Sequence, residues 1–133
     1  MTAFLAVLHP ESGRLVFANA GHNPPVLLRA DGSLHLLRDG GLVIGLFGDT
    51  AYDQAETTIE PGDLLVLYTD GVTEAADEED DLYGEERLFD LLQRLRTEPC
   101  HEIMAEILGE VRAFSGGGQQ SDDITLLLVR RKG

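Results

Sequence analysis

Apolar and polar positions divide the chain into a strand-rich first half and a helical second half. Residues 3 to 8 are apolar, Pro10 to Gly13 supply turn chemistry, and Arg14 to Ala18 returns to β-favouring side chains, so a hairpin is expected. A second hairpin is expected from Pro25–Arg29 and Leu34–Leu37, which flank Ala30-Asp31-Gly32-Ser33, where Asp-Gly favours a tight turn with positive φ. A weaker strand candidate lies between Tyr52 and Ile59. Pro61-Gly62 then turns the chain into Asp63–Thr69, whose Leu64-Leu65-Val66-Leu67 run suits a strand covered on both faces and ending at Asp70-Gly71. Leu88, Leu91, Leu92 and Leu95 recur at spacings of three and four, which predicts a helix over 85–95 with Glu85 and Glu86 favouring its start. Ile103, Ile107, Val111 and Phe114 repeat the pattern from about Pro99 to Ser115, Gly116-Gly117-Gly118 ends it, and Ile124–Val129 returns to strand. Strands do not alternate with helices, so the expected class is α+β, with helices packed on a largely antiparallel sheet.

Composition excludes several function classes. A length of 133 residues suits one domain, and 43% hydrophobic with 26% charged residues is globular composition. The formal charge of -14 repels nucleic-acid phosphates and anionic membrane surfaces, so neither is an expected partner. Cys100 is the only cysteine, no apolar run approaches the roughly 20 residues of a membrane helix, and the opening residues lack the basic start of a secretion signal. The expected location is cytoplasmic.

Candidate chemistry sits where strands meet loops. Tyr68-Thr69-Asp70-Gly71-Val72-Thr73-Glu74 and Ser121-Asp122-Asp123-Ile124-Thr125 each put an acid beside a buried strand. Hard divalent cations such as Mg²⁺ and Mn²⁺ take oxygen ligands, and Asp70 with Asp122 could supply part of such a site. By themselves the same residues could be an ordinary turn and a loop cap. His22 either anchors the Gly/Pro-bounded turn around it, the favoured role, or faces a phosphate as hydrogen-bond partner. His9, His35 and His101 have no partners at ligand spacing. Glu74 to Glu86 holds eight acidic residues and no basic one, and is expected to be a solvated loop. A helix-loop-helix calcium loop counted from Glu79 puts Tyr83 and Arg87 at ligand positions and Asp90 where a closing Glu belongs, so it fails. The triple glycine lacks the following Lys-Ser or Lys-Thr of a phosphate cradle. Cysteine phosphatase chemistry is rejected because position 106, where the phosphate loop needs Arg, is Glu106.

NAGHNPP at 19–25, EPGDLLVLYTDGVTEA at 60–75 and QSDDITLLLV at 120–129 occur in that order. Together they resemble the bacterial PPM-type serine/threonine phosphatases of the stage II sporulation protein E and RsbU kind, related to protein phosphatase 2C. The resemblance implies a largely antiparallel β-sandwich with flanking helices. It also implies a two-metal Mn²⁺ or Mg²⁺ centre that activates water against phosphoserine or phosphothreonine. Carried over by motif, Asp70 and Asp122 match the family's metal ligands, Asp123 is a neighbour of that shell, and the acidic stretch matches a variable flap near the metals. The implied substrate is a phosphorylated regulatory protein such as an anti-sigma-factor antagonist.

A complete domain of that family also carries an upstream Gly-Asp-Xaa-Xaa-Asp signature whose first Asp bridges the metals, and 1–133 lacks it. Gly48-Asp49-Thr50-Ala51-Tyr52-Asp53 is a decoy, with its second Asp one residue late. The expectation is therefore a single partial phosphatase domain with an incomplete metal site and weak or no turnover alone. Uncovered sheet edges imply a homo-oligomer or a complementing upstream segment. The alternative is a catalytically silent interaction module with the same fold.

Overall fold

A computed structural model describes residues 3–38, 55–116 and 124–132. In chain order the elements are β1 (Ala3–His9), β2 (Arg14–Ala20), β3 (Val26–Leu28), β4 (Leu34–Leu36), β5 (Ala55–Thr58), β6 (Leu64–Tyr68), α1 (Asp70–Thr73), α2 (Gly84–Arg94), α3 (Cys100–Phe114) and β7 (Leu126–Arg130). The strands form two sheets ordered β1-β2-β5 and β4-β3-β6-β7, and every pairing is antiparallel. Both expected hairpins are present, β1 with β2 and β3 with β4. The turn into β2 depends on Gly13, whose φ is +77°. A Cβ there would lie 2.1 Å from the Ile59 carbonyl oxygen, which only glycine avoids.

Period-two alternation sorts the side chains into layers. Val26 and Leu28 of β3, with Leu64, Val66 and Tyr68 of β6, face the helices and pack with Leu88, Leu91, Leu92, Ile103, Ile107 and Val111. The intervening Leu27 and Leu65 point the other way and meet Leu15, Phe17, Leu37 and Ile59 between the two sheets. The order is therefore sheet, sheet, helices, the sandwich with flanking helices that the resemblance implied. On the far side, the outward residues of β1 stand in solvent: Leu5 is 67% and Val7 61% exposed.

The acidic stretch is more structured than a solvated loop. Asp77 Oδ1 accepts from the Glu79 and Asp81 backbone N–H groups, Ala76 bridges Leu82, and Ala75 and Tyr83 at its ends are buried. The charges face water while two apolar anchors hold the loop down. Burial first, and the nearby Glu110 carboxylate second, push the Tyr83 phenol up to about 12. Burial and Glu85 raise Tyr68 as well.

Raised phenols keep their protons more tightly in the folded state than in the unfolded one. Their stabilisation is complete below the unfolded value of about 10 and is lost as pH rises from there through the folded values. Thermal melts should accordingly fall between pH 10 and pH 12 by about 5–10 °C, and Tyr83→Phe should remove part of that loss.

Candidate metal centre

β6 is buried almost throughout, and its last residue, Tyr68, delivers the chain to the end of the sheet. The short helix α1 starts there. Gly71 and Val72 are buried, so α1 is pinned by its second and third residues and Asp70 is left with an exposed carboxylate. Glu74 N–H donates to the Asp70 carbonyl at 2.8 Å, closing the turn.

A second segment meets Asp70 from the β2–β3 connection. Asn19 is buried at the end of β2; its Oδ1 accepts from the His22 backbone N–H at 2.9 Å and its Nδ2 donates to the Leu37 carbonyl at 3.4 Å. Gly21 takes φ +76°, which lets the chain turn sharply there. His22 Nδ1–H donates to the Asn23 carbonyl at 2.8 Å. Asn23 Nδ2 then donates to Asp70 Oδ1 at 2.5 Å, across 47 positions of sequence.

The third segment is the start of β7. Thr125 N–H donates to Thr69 Oγ1 at 3.0 Å and Thr69 N–H donates to the Thr125 carbonyl at 3.1 Å. A cavity of about 190 Å³, lined by Phe4, His22, Leu67, Thr69, Thr125 and Leu127 among others, opens beside these contacts. A larger one, about 340 Å³, lies at the other end of β6 near Gly13, Ile59 and Arg131. There the Arg131 guanidinium is engaged by the Ile59 and Glu11 carbonyls, each at 2.9 Å, which makes it a staple of the sandwich.

Of the residues singled out in the sequence, Asp70 and His22 come to the same end of the fold, bridged through Asn23. Asp122, Asp123 and the decoy at 48–53 lie outside the described residues. Among the described residues no three carboxylate, imidazole or thiolate groups converge. The donor chemistry at Asp70 nevertheless suits a hard cation. Its carboxylate is exposed, is oriented by a neutral amide, and among the described residues has no Lys or Arg partner that would compete with a metal. Sequence reasoning gave no role to Asn23, Thr69 or Thr125; all three stood inside the quoted motifs, but nothing local connects Asn23 to Asp70 or Thr69 to Thr125.

Two antiparallel sheets with helices over one of them, and a carboxylate ending a central strand, define a protein phosphatase 2C-type fold. The structure superposes on the SiaA-PP2C domain of Pseudomonas aeruginosa with a TM-score of 0.81 and 25% identity, covering 97% of this chain and 51% of that one. The family description "Stage II sporulation protein E (SpoIIE)" matches residues 1–132, and the chain belongs to that family. It is 33% identical over 133 residues to Protein IcfG of Synechocystis sp., and 31% identical over 133 residues to Phosphoserine phosphatase RsbU of Bacillus subtilis. These alignments take in 98% and 99% of this chain but only 20% and 39% of those proteins.

Proposed function

We propose that residues 1–133 form one partial domain of a metal-dependent protein serine/threonine phosphatase and carry part of its metal site. The observation that carries this reading is the exposed Asp70 carboxylate, held by Asn23 at the end of a buried central strand in a SpoIIE-family chain. Asp70 and Asp122 are the proposed ligands of Mn²⁺ or Mg²⁺, with Asp123 beside them. The Thr69–Thr125 bracket supports the pairing, because it joins the Asp70 end of β6 to the strand that follows Asp122. When bound, a pair of such ions lowers the pKa of water and offsets phosphate charge. The protein's own share is to fix the Asp70 carboxylate through Asn23 and keep Lys and Arg partners away from it, while His22 anchors the turn that carries Asn23. The proposed substrate is a phosphoserine or phosphothreonine on a regulatory protein such as an anti-sigma-factor antagonist, a reading supported by the phosphoserine phosphatase among the relatives.

Hydrolysis of an aryl phosphate and of a phosphoserine peptide, each with Mn²⁺, Mg²⁺ or chelator, tests the proposal. Metal-dependent turnover that falls at least about 100-fold in Asp70→Asn is the expected result for an assembled site. No turnover above Asp70→Asn fits either a partial site that does not assemble in residues 1–133 or the silent interaction module, and substrate-protein binding indifferent to metal distinguishes the module.

The bare outer face of β1 supports a partner for this half-domain, either a complementing upstream segment or a second copy. Light scattering should show concentration-dependent association of the 133-residue chain, reduced by the double substitution Leu5→Lys, Val7→Lys. A monomer throughout the micromolar range would reject pairing with a second copy.

A further inference from the structure

We infer that Asn23 is a positioning residue for Asp70: its side-chain amide fixes one carboxylate oxygen so that the other is presented to a cation. The inference rests on the proposed metal role of Asp70 and goes beyond it, to the device that aims the carboxylate.

Asn23 Nδ2 donates to Asp70 Oδ1, and among the described residues no donor is recorded on Oδ2. An aspartate on an exposed turn has a nearly free terminal torsion, so a ligand oxygen aimed by nothing loses rotamer freedom when a cation binds. Donation to Oδ1 removes that freedom beforehand. It also does so without placing a positive charge beside the site, as Lys or Arg would, or a second negative charge, as Asp would.

The amide can act this way because its own backbone is held. His22 N–H is fixed by the buried Asn19, His22 Nδ1–H binds the Asn23 carbonyl, and Leu37 N–H donates to the Pro25 carbonyl at 2.9 Å on the far side. Pro24 and Pro25 lock φ at the next two positions. The chain Asn19, His22, Asn23, Asp70 therefore transmits a rigid sheet end to an exposed carboxylate. Within it, His22 orients the amide by gripping the carbonyl of the same residue.

Two measurements on the ¹⁵N-labelled chain test this. The first needs no metal: the Asn23 side-chain amide protons should be displaced from solvent-exposed asparagine values, and Asp70→Ala should return them to those values. An Asn23 amide unaffected by Asp70→Ala overturns the inference. The second is Mn²⁺ titration followed by electron paramagnetic resonance. Asn23→Leu, which keeps the shape but cannot donate, should weaken Mn²⁺ binding about 10-fold, within the range for loss of a group that orients a metal ligand. Asn23→Ala provides a second variant should leucine disturb folding, and circular dichroism melts identify any variant that has unfolded. If Asp70→Asn abolishes Mn²⁺ binding while both folded Asn23 variants bind like wild type, the inference fails and the metal role of Asp70 stands. If Asp70→Asn binds Mn²⁺ like wild type, the metal role fails, and the inference with it.

Discussion

Asp63→Ala is expected to cost about 3–5 kcal/mol, enough to lower the urea midpoint by about 2 M. Asp63 is 2% exposed at the start of β6. Its Oδ2 accepts from Arg29 Nη1 at 2.6 Å and Glu60 N–H at 2.9 Å, and its Oδ1 accepts from Ala30 N–H at 3.0 Å. Arg29 Nη1 also donates to the Thr58 carbonyl at 2.5 Å. One carboxylate thus joins the end of β3, the end of β5 and the start of β6, tying one sheet to the other. Removing it leaves a guanidinium and two backbone donors without their acceptor, and the cost is that of the orphaned groups more than that of the lost attraction. The double substitution Arg29→Leu, Asp63→Leu should therefore lose less than Asp63→Ala does, measured by urea unfolding of all three variants.

Ile107→Ala should cost about 2–5 kcal/mol, a large share of the roughly 5–15 kcal/mol that holds a domain of this size. Ile107 is fully buried on α3, in the cluster that seals the helices onto β3 and β6. A cavity there has helix on one side and sheet on the other, and neither can move in without breaking its own hydrogen bonds. Leu5→Ala removes as much hydrocarbon from a residue 67% exposed and should stay within about 0.5 kcal/mol. Parallel thermal melts of the two variants check the contrast. Comparable losses would mean that the β1 face is covered in solution.

Local chemistry made the elements legible. Apolar spacing, leucines in the first and Ile103, Ile107, Val111 and Phe114 in the second, gave the two long helices within a residue of their observed ends, and the Asp31-Gly32 and Pro10–Gly13 turns closed the hairpins they signalled. Ends were less exact: β2 runs on to Ala20, and β7 begins at Leu126, two residues later than expected. The division into two sheets came from motif resemblance alone, and the clamp at Asp63 was illegible, because Arg29 and Asp63 are 34 positions apart and nothing in either segment announces the other. Asn23 and Asp70 share that difficulty. Charge also misdirected the eye at 74–86, where the acidic side chains hid the two apolar residues that hold the loop. Asp70 stood out because a carboxylate ending an all-apolar strand is unusual in itself, and motif resemblance strengthened the proposed pairing with Asp122.

The pairing of β6 with β7 has a consequence for how the chain assembles. Thr69 and Thr125, which close the end of that ladder, are 56 positions apart, and α1, α2 and α3 all lie in the loop between them. Closing such a loop costs about 3.5 kcal/mol of chain entropy before any ladder bond is gained. The early hairpins and the helices can form from local contacts, but the fourth strand of the larger sheet must wait for them. Folding should therefore be limited by the docking of β7, and the Asp70 end of the sheet should be among the last parts to become ordered.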